Sequence, residues 1–153
     1  MDLPRDRIRE FIKSHCVLVM AVAQNNNPYA STIFYTTPDA HNLYFKSRTG
    51  SNHSRIIGSN PRVAGAIYDH DSTYKQKAGV QLLGTVERLA SLREVVTAIT
   101  LYSEQFEGAG EKLKSPEALI RSSAESAFYR LTVTHVKIVD VARDLLINDY
   151  QSW

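Results

Sequence analysis

The stretch that carries the most informative pattern in the chain spans residues 43–54 and is Leu43-Tyr44-Phe45-Lys46-Ser47-Arg48-Thr49-Gly50-Ser51-Asn52-His53-Ser54. Its apolar first half predicts a β-strand, and its polar second half predicts a turn followed by a short helix that ends before Asn60-Pro61. Ser51 is a suitable N-cap for this helix. Because the first turn of any helix leaves backbone N–H groups without intrahelical partners, the segment predicts a cluster of free donors beside Ser51.

The side chains around this predicted helix start have the chemistry of a phosphate site. Hydroxyl and basic groups would meet there with the free amides and the positive end of the helix dipole. The hydroxyls belong to Ser47, Thr49 and Ser51, and the cations are Lys46, Arg48 and Arg55. The alternative is an ordinary capped helix beside a solvated basic loop, and the segment alone does not separate the two interpretations.

Length and composition are those of an ordinary globular protein. With 153 residues, of which 43% are hydrophobic and 22% charged, the chain is expected to form one domain, residues 1–153. A chain of this size buries about 70% of its unfolded surface without disulfides or metals. The net charge of +2, with basic and acidic residues intermixed, argues against a nucleic-acid partner.

The expected compartment is the cytoplasm. Cys16 is the one cysteine, which prevents an internal disulfide and suits a reducing environment. The first ten residues are rich in charge, so we expect no signal peptide there. No apolar stretch approaches the roughly 20 residues that span a bilayer, so we expect no membrane partner.

The remaining sequence predicts strands joined mostly by short turns. Strands are predicted at residues 17–23, 29–36, 43–47, 62–68, 79–89, 128–134 and 136–141. Short connections favour an antiparallel sheet curled into a barrel over a doubly wound sheet. The fifth strand is the longest, which predicts a bend or bulge at Gly84.

Helices are predicted at the periphery. They occupy residues 4–14, the segment after Ser91 with a capping box to Glu94, and a short segment opened by Ser115-Pro116. Gly108-Ala109-Gly110 is expected to end the second of these, and residues 142–153 are expected to form a tail. The tail aromatics Tyr150 and Trp153 would need a surface to cover, and a partner subunit is one candidate.

Other chemical motifs are weak. Asp69-His70-Asp71 has metal-ligand side chains, but adjacent residues of an extended loop point in different directions, so we expect no metal site. The sequence contains no nucleophile elbow and no Walker motif.

The order of these segments resembles one known superfamily. Gly50-Ser51-Asn52-His53, a short helix and Asn60-Pro61-Arg62-Val63-Ala64 resemble the phosphate-binding region of the pyridoxamine 5′-phosphate oxidase-like flavoproteins, the FMN-binding split-barrel superfamily. The ending Gly84-Thr85-Val86-Glu87-Arg88-Leu89 resembles that family's long strand. The resemblance spans residues 17–141 and is closest to the YhbP-like branch. It implies a mainly β fold with peripheral helices, an antiparallel split β-barrel of the FMN-binding type.

The resemblance also implies FMN as cofactor and assigns its contacts. Ser47 and Ser51 stand at the family's hydroxyl positions, His53 stands where the oxidases have lysine, and Asn52 replaces a family arginine. The flavin ring would lie along the backbone of residues 30–35. The implied cofactor-binding residues are Ser31, Thr32, Lys46, Ser47, Thr49, Ser51, Asn52 and His53. No residue is nominated as catalytic.

The implied function is a flavin-dependent oxidoreductase that acts on a small-molecule substrate as a homodimer, with the flavin in a groove between subunits. True pyridoxamine phosphate oxidase activity is not expected, because Ala30-Ser31 stands where those enzymes have arginine and their arginine-bearing C-terminal segment has no counterpart. Two alternatives stay open. One is a non-catalytic flavin-binding or sensing protein, and the other is a split-barrel dimer that binds another ligand such as haem, or only a protein partner.

Overall fold

The computed structural model describes residues 3–107 and 125–153. The α-helices are α1 (Leu3–Ser14), α2 (Asn52–Ser59) and α3 (Leu92–Gln105), and short 3₁₀-helices span Tyr74–Gln76 and Val141–Arg143. The strands are β1 (Val17–Gln24), β2 (Asn27–Thr36), β3 (Asn42–Arg48), β4 (Arg62–Tyr68), β5 (Ala78–Arg88), β6 (Ser126–Asp140), β7 (Leu145–Leu146) and β8 (Gln151–Ser152). The predicted features at residues 108–110 and 115–117 lie outside the described residues.

Strands β1 to β6 close into an antiparallel barrel. Their order is β3-β2-β1-β4-β5-β6, and β3 also pairs with β6 along its whole length, which joins the two ends of the sheet. The strand pairs around this ring are antiparallel. The predicted fold class, a mainly β split barrel with peripheral helices, is confirmed.

The barrel is split between β2 and β3. These two strands pair only where Tyr35 lies opposite Phe45 and Thr36 opposite Tyr44. From that point β2 extends back to Asn27 and β3 extends forward to Arg48, and no further ladder pairs join them. Helix α2 begins four residues after β3, so its first turn lies at this opening.

The β1–β2 hairpin turns through two asparagines. Asn25 and Asn26 have φ angles of 51° and 62°, and Gln24 pairs with Asn27 on either side of them. Asparagine tolerates this left-handed backbone better than most residues, and a two-residue turn of that kind matches the twist of the flanking strands. The predicted turn is confirmed.

The β5–β6 pairing contains a bulge beside Gly84. The register shifts between Leu83 and Gly84, because Leu83 lies opposite His135 whereas Gly84 lies opposite Val133. Thr134 is therefore the extra residue on β6. A Cβ atom on Gly84 would lie only 2.4 Å from the carbonyl oxygen of Thr132, so the close approach requires glycine. The predicted irregularity at Gly84 is confirmed.

The core fills the barrel and extends to the helices at its ends. Helices α1 and α2 contribute Ile8, Phe11, Ile12, Ile56 and Ile57 to the same buried cluster as the inward residues of the strands. Helix α3 packs instead on the outer face of the barrel, in a second cluster that contains Tyr44, Leu89, Ala98 and Phe128. Thus α1 and α2 complete the interior, and α3 is an external cover.

The C-terminal third differs from the prediction in two ways. Residues 126–140 form one strand, so the prediction of two separate strands was wrong. The strand continues because the bulge at Thr134 accommodates the polar Thr134-His135 step within the ladder. The predicted tail was also wrong, because β7 and β8 both pair with β6. The Trp153 indole N–H donates to the carbonyl of Ala40 at 2.9 Å, so Trp153 covers its own barrel.

The predicted capping box on α3 forms only in part. Ser91 accepts a hydrogen bond from the backbone N–H of Glu94, as expected. The Glu94 carboxylate does not return to Ser91 but binds the guanidinium of Arg130 on β6, which also binds Glu87. A charge-assisted bond to a guanidinium is stronger than one to a neutral amide, which explains the exchange. It also ties α3 to the barrel wall.

No helix among the described ranges is long and apolar enough to cross a bilayer.

The bulge gives a prediction about stability with a matched control. Gly84→Ala should lower the free energy of unfolding by about 1–3 kcal/mol, because the new Cβ meets a backbone carbonyl that has little room to move. Gly58→Ala, on the exposed side of α2 with nothing within 4 Å of the added Cβ, should raise it by up to about 1 kcal/mol. Urea denaturation of both variants measures these changes. Equal effects of the two substitutions would contradict the close approach at Gly84.

Candidate functional site

Two serines face the split from the inner side of the barrel. On β3, Leu43 and Phe45 point into the core, and Ser47 is the next residue on that face. On β2, Ser31 shares the inward face of Ile33 and Tyr35. Since β2 and β3 no longer pair at this level, the two hydroxyls lie on opposite sides of the gap.

The start of α2 brings two more hydroxyls to the gap. Ser51 adopts the extended backbone of an N-cap, and its Oγ accepts from the backbone N–H of Ser54 at 3.4 Å, which confirms the predicted cap. Ser54 is buried, and its Oγ lies 2.8 Å from Ser51 Oγ and 3.2 Å from Ser47 Oγ. Ser54 was not among the predicted site residues, although its position one helical turn before the apolar Ile57 is the spacing that marks the buried face.

His53 bridges the split. Its Nδ1 lies 3.0 Å from Ser31 Oγ on β2, and its Nε2 lies 2.6 Å from Ser47 Oγ on β3. Nε2 also lies 3.2 Å from Ser51 Oγ at the helix cap. One imidazole therefore connects the two strands that the backbone ladder leaves apart.

The charge of His53 follows from its partners and its burial. Burial lowers the pKa of His53 below the usual value of 6.5, because the charged ring would lose solvation that the surrounding neutral hydroxyls replace only in part. The ring is therefore neutral at pH 7. In that form one ring nitrogen donates a hydrogen bond and the other accepts one.

The other predicted residues lie away from this cluster. Thr32 is exposed on the outer face of β2, and Lys46 lies on the outer face of β3, opposite to Ser47. Thr49 is bound through its backbone N–H to the carbonyl of Glu125 at 3.0 Å. Asn52 is exposed on α2. The structure thus brings together Ser31, Ser47, Ser51 and His53 with Ser54, and leaves the remaining four predicted contacts at the rim.

The cluster has the donor chemistry of an anion site. Its hydroxyls and imidazole include no carboxylate among the groups that bind one another. The first two amides of α2, those of Asn52 and His53, precede the residue that the cap satisfies, and helix geometry gives them no intrahelical acceptor. A phosphate monoester fits such a set, because it offers oxygens to both hydroxyl and amide donors.

The Asp69-His70-Asp71 segment is more compact than expected. The ligand atoms of its three side chains lie within 4.8 Å of one another, so the expectation that they diverge was wrong. The reason is a turn, in which the Asp69 carboxylate accepts from the backbone N–H of Asp71 at 3.2 Å. Asp69 is half-buried, whereas His70 and Asp71 are exposed to solvent.

Comparison with known proteins identifies the family. The family model described as pyridoxamine 5′-phosphate oxidase matches residues 4–140. The chain belongs to the pyridoxamine 5′-phosphate oxidase family. That match contains every residue of the cluster and confirms the resemblance that the sequence indicated.

Several relatives of this oxidase-family chain share its sequence or its fold. A UPF0306 protein of Pasteurella multocida is 28% identical over 101 residues, which cover 65% of this chain and 67% of the relative. A heme binding protein from Mycobacterium smegmatis has a TM-score of 0.74 at 20% identity, over 95% of this chain and 56% of that one. A FAD-binding protein from Mesorhizobium loti has a TM-score of 0.68 at 20% identity, over 86% of this chain and 91% of that one. The chain thus spans just over half of the mycobacterial structure, and these structural likenesses concern the fold.

The buried histidine predicts a specific pH dependence of stability. Because the pKa of His53 is lower in the folded chain than in the unfolded one, the unfolded chain takes up the proton first, and stability should fall as pH drops from about 7 to about 5. His53→Gln, which cannot titrate, should show a smaller loss. Asp140 does not interfere: burial favours its neutral form, but hydrogen bonds from Arg7 and Arg143 outweigh this and hold its pKa below 3.8. Urea midpoints measured across this pH range test the difference, and parallel profiles for the two proteins would contradict it.

Proposed function

We propose that this protein is an FMN-binding flavoprotein, and that it is a flavin-dependent oxidoreductase acting on a small molecule. The observation that carries the proposal is the meeting of Ser31, Ser47, Ser51 and His53 at the start of α2, inside the split of a barrel of the oxidase family. In this proposal residues 1–153 form a single domain that acts in the cytoplasm.

The phosphate and the ring of FMN have separate proposed contacts. The phosphate lies against the first turn of α2, where the first backbone amides and the Ser47 hydroxyl provide donors and the helix dipole favours negative charge. Ser51 caps this turn and holds it in place. Thr32, Lys46, Thr49 and Asn52 lie at the rim and are the outer members of the same proposed site. The ring lies along β2, whose unpaired edge beside the split offers backbone donors and acceptors.

The protein's own part in the reaction is to bind, orient and shield the cofactor. Bound FMN supplies the electron and hydride transfer that no amino-acid side chain performs. The serines fix the phosphate end, and the half-buried position of the cluster limits access of water to that end. No described side chain is assigned as acid, base or nucleophile.

We also propose a homodimer formed through the outer face of β2, β1 and β4. Val19 lies between Thr32 and Ala66 on this face, and Ala21 lies between Ala30 and Ala64. These outward side chains are small or apolar, and none of them is charged. Arg62, at the start of β4, is the charged residue at the edge of this face. The centre of the face is well suited to packing against a second copy, because it offers apolar area without charges to desolvate.

A second candidate ligand is haem, which one observation favours. The cations that would hold a phosphate strongly are absent from the cluster, because Lys46 lies on the outer face of β3 and Asn52 carries no charge. A fold related to a heme binding protein can therefore serve a different ligand. A flavin-binding protein with no substrate of its own is the other alternative.

Loss of the cluster residues should weaken FMN binding. We expect Ser51→Ala and His53→Ala each to cost about 1–3 kcal/mol of binding free energy, because each removes hydrogen bonds that hold the donors at the start of α2 in place. Ser59→Ala, at the far end of α2 with its hydroxyl on the carbonyl of Ile56, is the matched control and should leave affinity unchanged. Titration of FMN followed by flavin fluorescence measures all three.

Thermal stability and turnover separate the candidates. If FMN binds, its presence at 100 times the dissociation constant should stabilise the protein by about 2.7 kcal/mol. Bleaching of the bound flavin by NADH or NADPH, with recovery on addition of an acceptor, supports the oxidoreductase over the non-catalytic protein. A preparation that gains stability from haem but not from FMN would contradict the flavin assignment.

The dimer proposal predicts a face-specific effect of charge. Ala21→Glu places a carboxylate at the centre of the outer face and should convert the dimer to monomers, because burying an unpaired charge costs several kcal/mol. Gln76→Glu, on an exposed short helix remote from that face, should leave the dimer intact. Analytical ultracentrifugation gives the mass of each variant. A wild-type monomer, or an Ala21→Glu dimer, would refute this interface.

A further inference from the structure

The hydroxyls of the cluster form an ordered chain that ends at His53. Ser51 Oγ donates to Ser54 Oγ at 2.8 Å, and Ser54 Oγ donates to Ser47 Oγ at 3.2 Å. Each hydroxyl has one hydrogen to give, and the acceptors within reach of Ser47 are Nε2 of His53 at 2.6 Å and Ser51 Oγ at 3.3 Å. We assign the Ser47 hydrogen to Nε2 because it is the nearer of the two. Nε2 is then the accepting nitrogen of the neutral ring, and Nδ1–H donates to Ser31.

A proton on Nε2 would reverse one bond of this chain without moving any heavy atom. The imidazolium donates from both nitrogens, so Nε2–H would donate to Ser47 in place of accepting from it. Ser47 Oγ has two lone pairs, which would accept from His53 and from Ser54. Its own hydrogen would then be free to turn toward the gap, where an anionic ligand is the natural acceptor.

We propose that His53 takes up one proton from solvent when an anionic cofactor tail binds at the start of α2, and that this proton makes Ser47 a donor to the anion. His53 is thus a positioning residue that supplies positive charge only when the ligand needs it. This inference rests on the proposed function. It assigns the positive charge of the site to a histidine that is protonated only while the anion is bound, and not to a permanently charged side chain.

The charged groups around His53 leave room for this behaviour. Lys46 and Arg48 lie on the outer face of β3, and Arg55 is exposed on α2. Strand β1 has no ionisable residue. On β5, Glu87 is bound to Arg130, and Arg88 lies at the exposed end of the strand opposite Tyr129. On the inner face of β2 the ionisable groups are Tyr29, which is exposed near the start of the strand, and Tyr35, whose hydroxyl donates to the carbonyl of Ile12 at 2.7 Å. Burial keeps the pKa of His53 below 6.5, and an anion bound beside the ring would act in the opposite direction.

Proton uptake on binding tests the proposal directly. FMN is titrated calorimetrically into the full chain at about pH 7.5 in buffers of different ionisation enthalpy, and the slope gives the protons taken up per FMN. At this pH the phosphate, with a second pKa of about 6, is almost fully a dianion, so we expect uptake of up to about one proton per chain. His53→Gln, which keeps a polar group but cannot titrate, should show none, and its affinity should no longer increase on acidification to about pH 6.5.

The outcomes distinguish this inference from the proposal on which it rests. Binding of FMN without proton uptake would overturn it, as would equal uptake in His53→Gln, because the proton would then reside on the phosphate. Absence of FMN binding would refute the proposed cofactor. In that event the ¹⁵N NMR signals of His53, followed with inorganic phosphate, decide the inference alone: conversion from the Nδ1–H tautomer to the imidazolium supports it, and an unchanged ring refutes it.

Discussion

The gap between β2 and β3 is the constraint on which the rest of this structure depends. Two ladder pairs hold these strands together at Tyr35 and Thr36, and beyond them each strand keeps a partner only on its other side. The chain must therefore satisfy or cover the backbone that the split exposes. Helix α2 meets part of this need, because it enters the opening and places His53 between the strands. The proposed ligand site is thus a direct consequence of leaving the barrel incompletely paired.

The part of the sheet beside the split is apolar on both faces, and this connects the candidate site with the proposed dimer. The inward residues of β1 are buried in the core, while its outward residues Val17, Val19 and Ala21 are only partly covered in one chain. A strand that reads as apolar throughout is normally buried on both sides. The outer face is therefore the one that we propose for contact with a second copy, and it borders the edge of β2 that we propose to hold the ring. In such an arrangement binding and dimer formation would be coupled, because the groove needs both walls.

Local sequence patterns predicted the parts of the fold that depend on near neighbours. The N-cap at Ser51, the left-handed turn at Asn25-Asn26 and the bulge beside Gly84 each follow from the backbone preferences of one or two residues. The predictions that were wrong concern residues whose bonding partners lie far away in the sequence. The Glu94 carboxylate binds the guanidinium of Arg130 and not the N-terminus of its own helix. The Trp153 indole N–H binds the carbonyl of Ala40, which lies far away in the chain.

The candidate site shows the same division between local and distant information. Ser47, Ser51 and His53 were named from their spacing, and strand alternation would also have placed Lys46 on the face opposite to Ser47. The link from His53 to Ser31 could not be predicted, because it crosses 22 positions of sequence through the open edge of the barrel. Nor could Ser54 be assigned a role until the neighbouring hydroxyls were in place.

The choice of histidine at this point has a physical rationale. A permanent cation in the same half-buried position would lose solvation whenever the ligand is absent, and its charge would weaken the empty protein. A neutral imidazole avoids that loss and, through Ser31 and Ser47, contributes hydrogen bonds across the split in the empty state. The ring loses solvation as a cation only when an anion is bound, and the attraction of that anion then offsets the loss. Weak permanent charge at the cluster is consequently compatible with an anion site, provided that the histidine can gain its proton there.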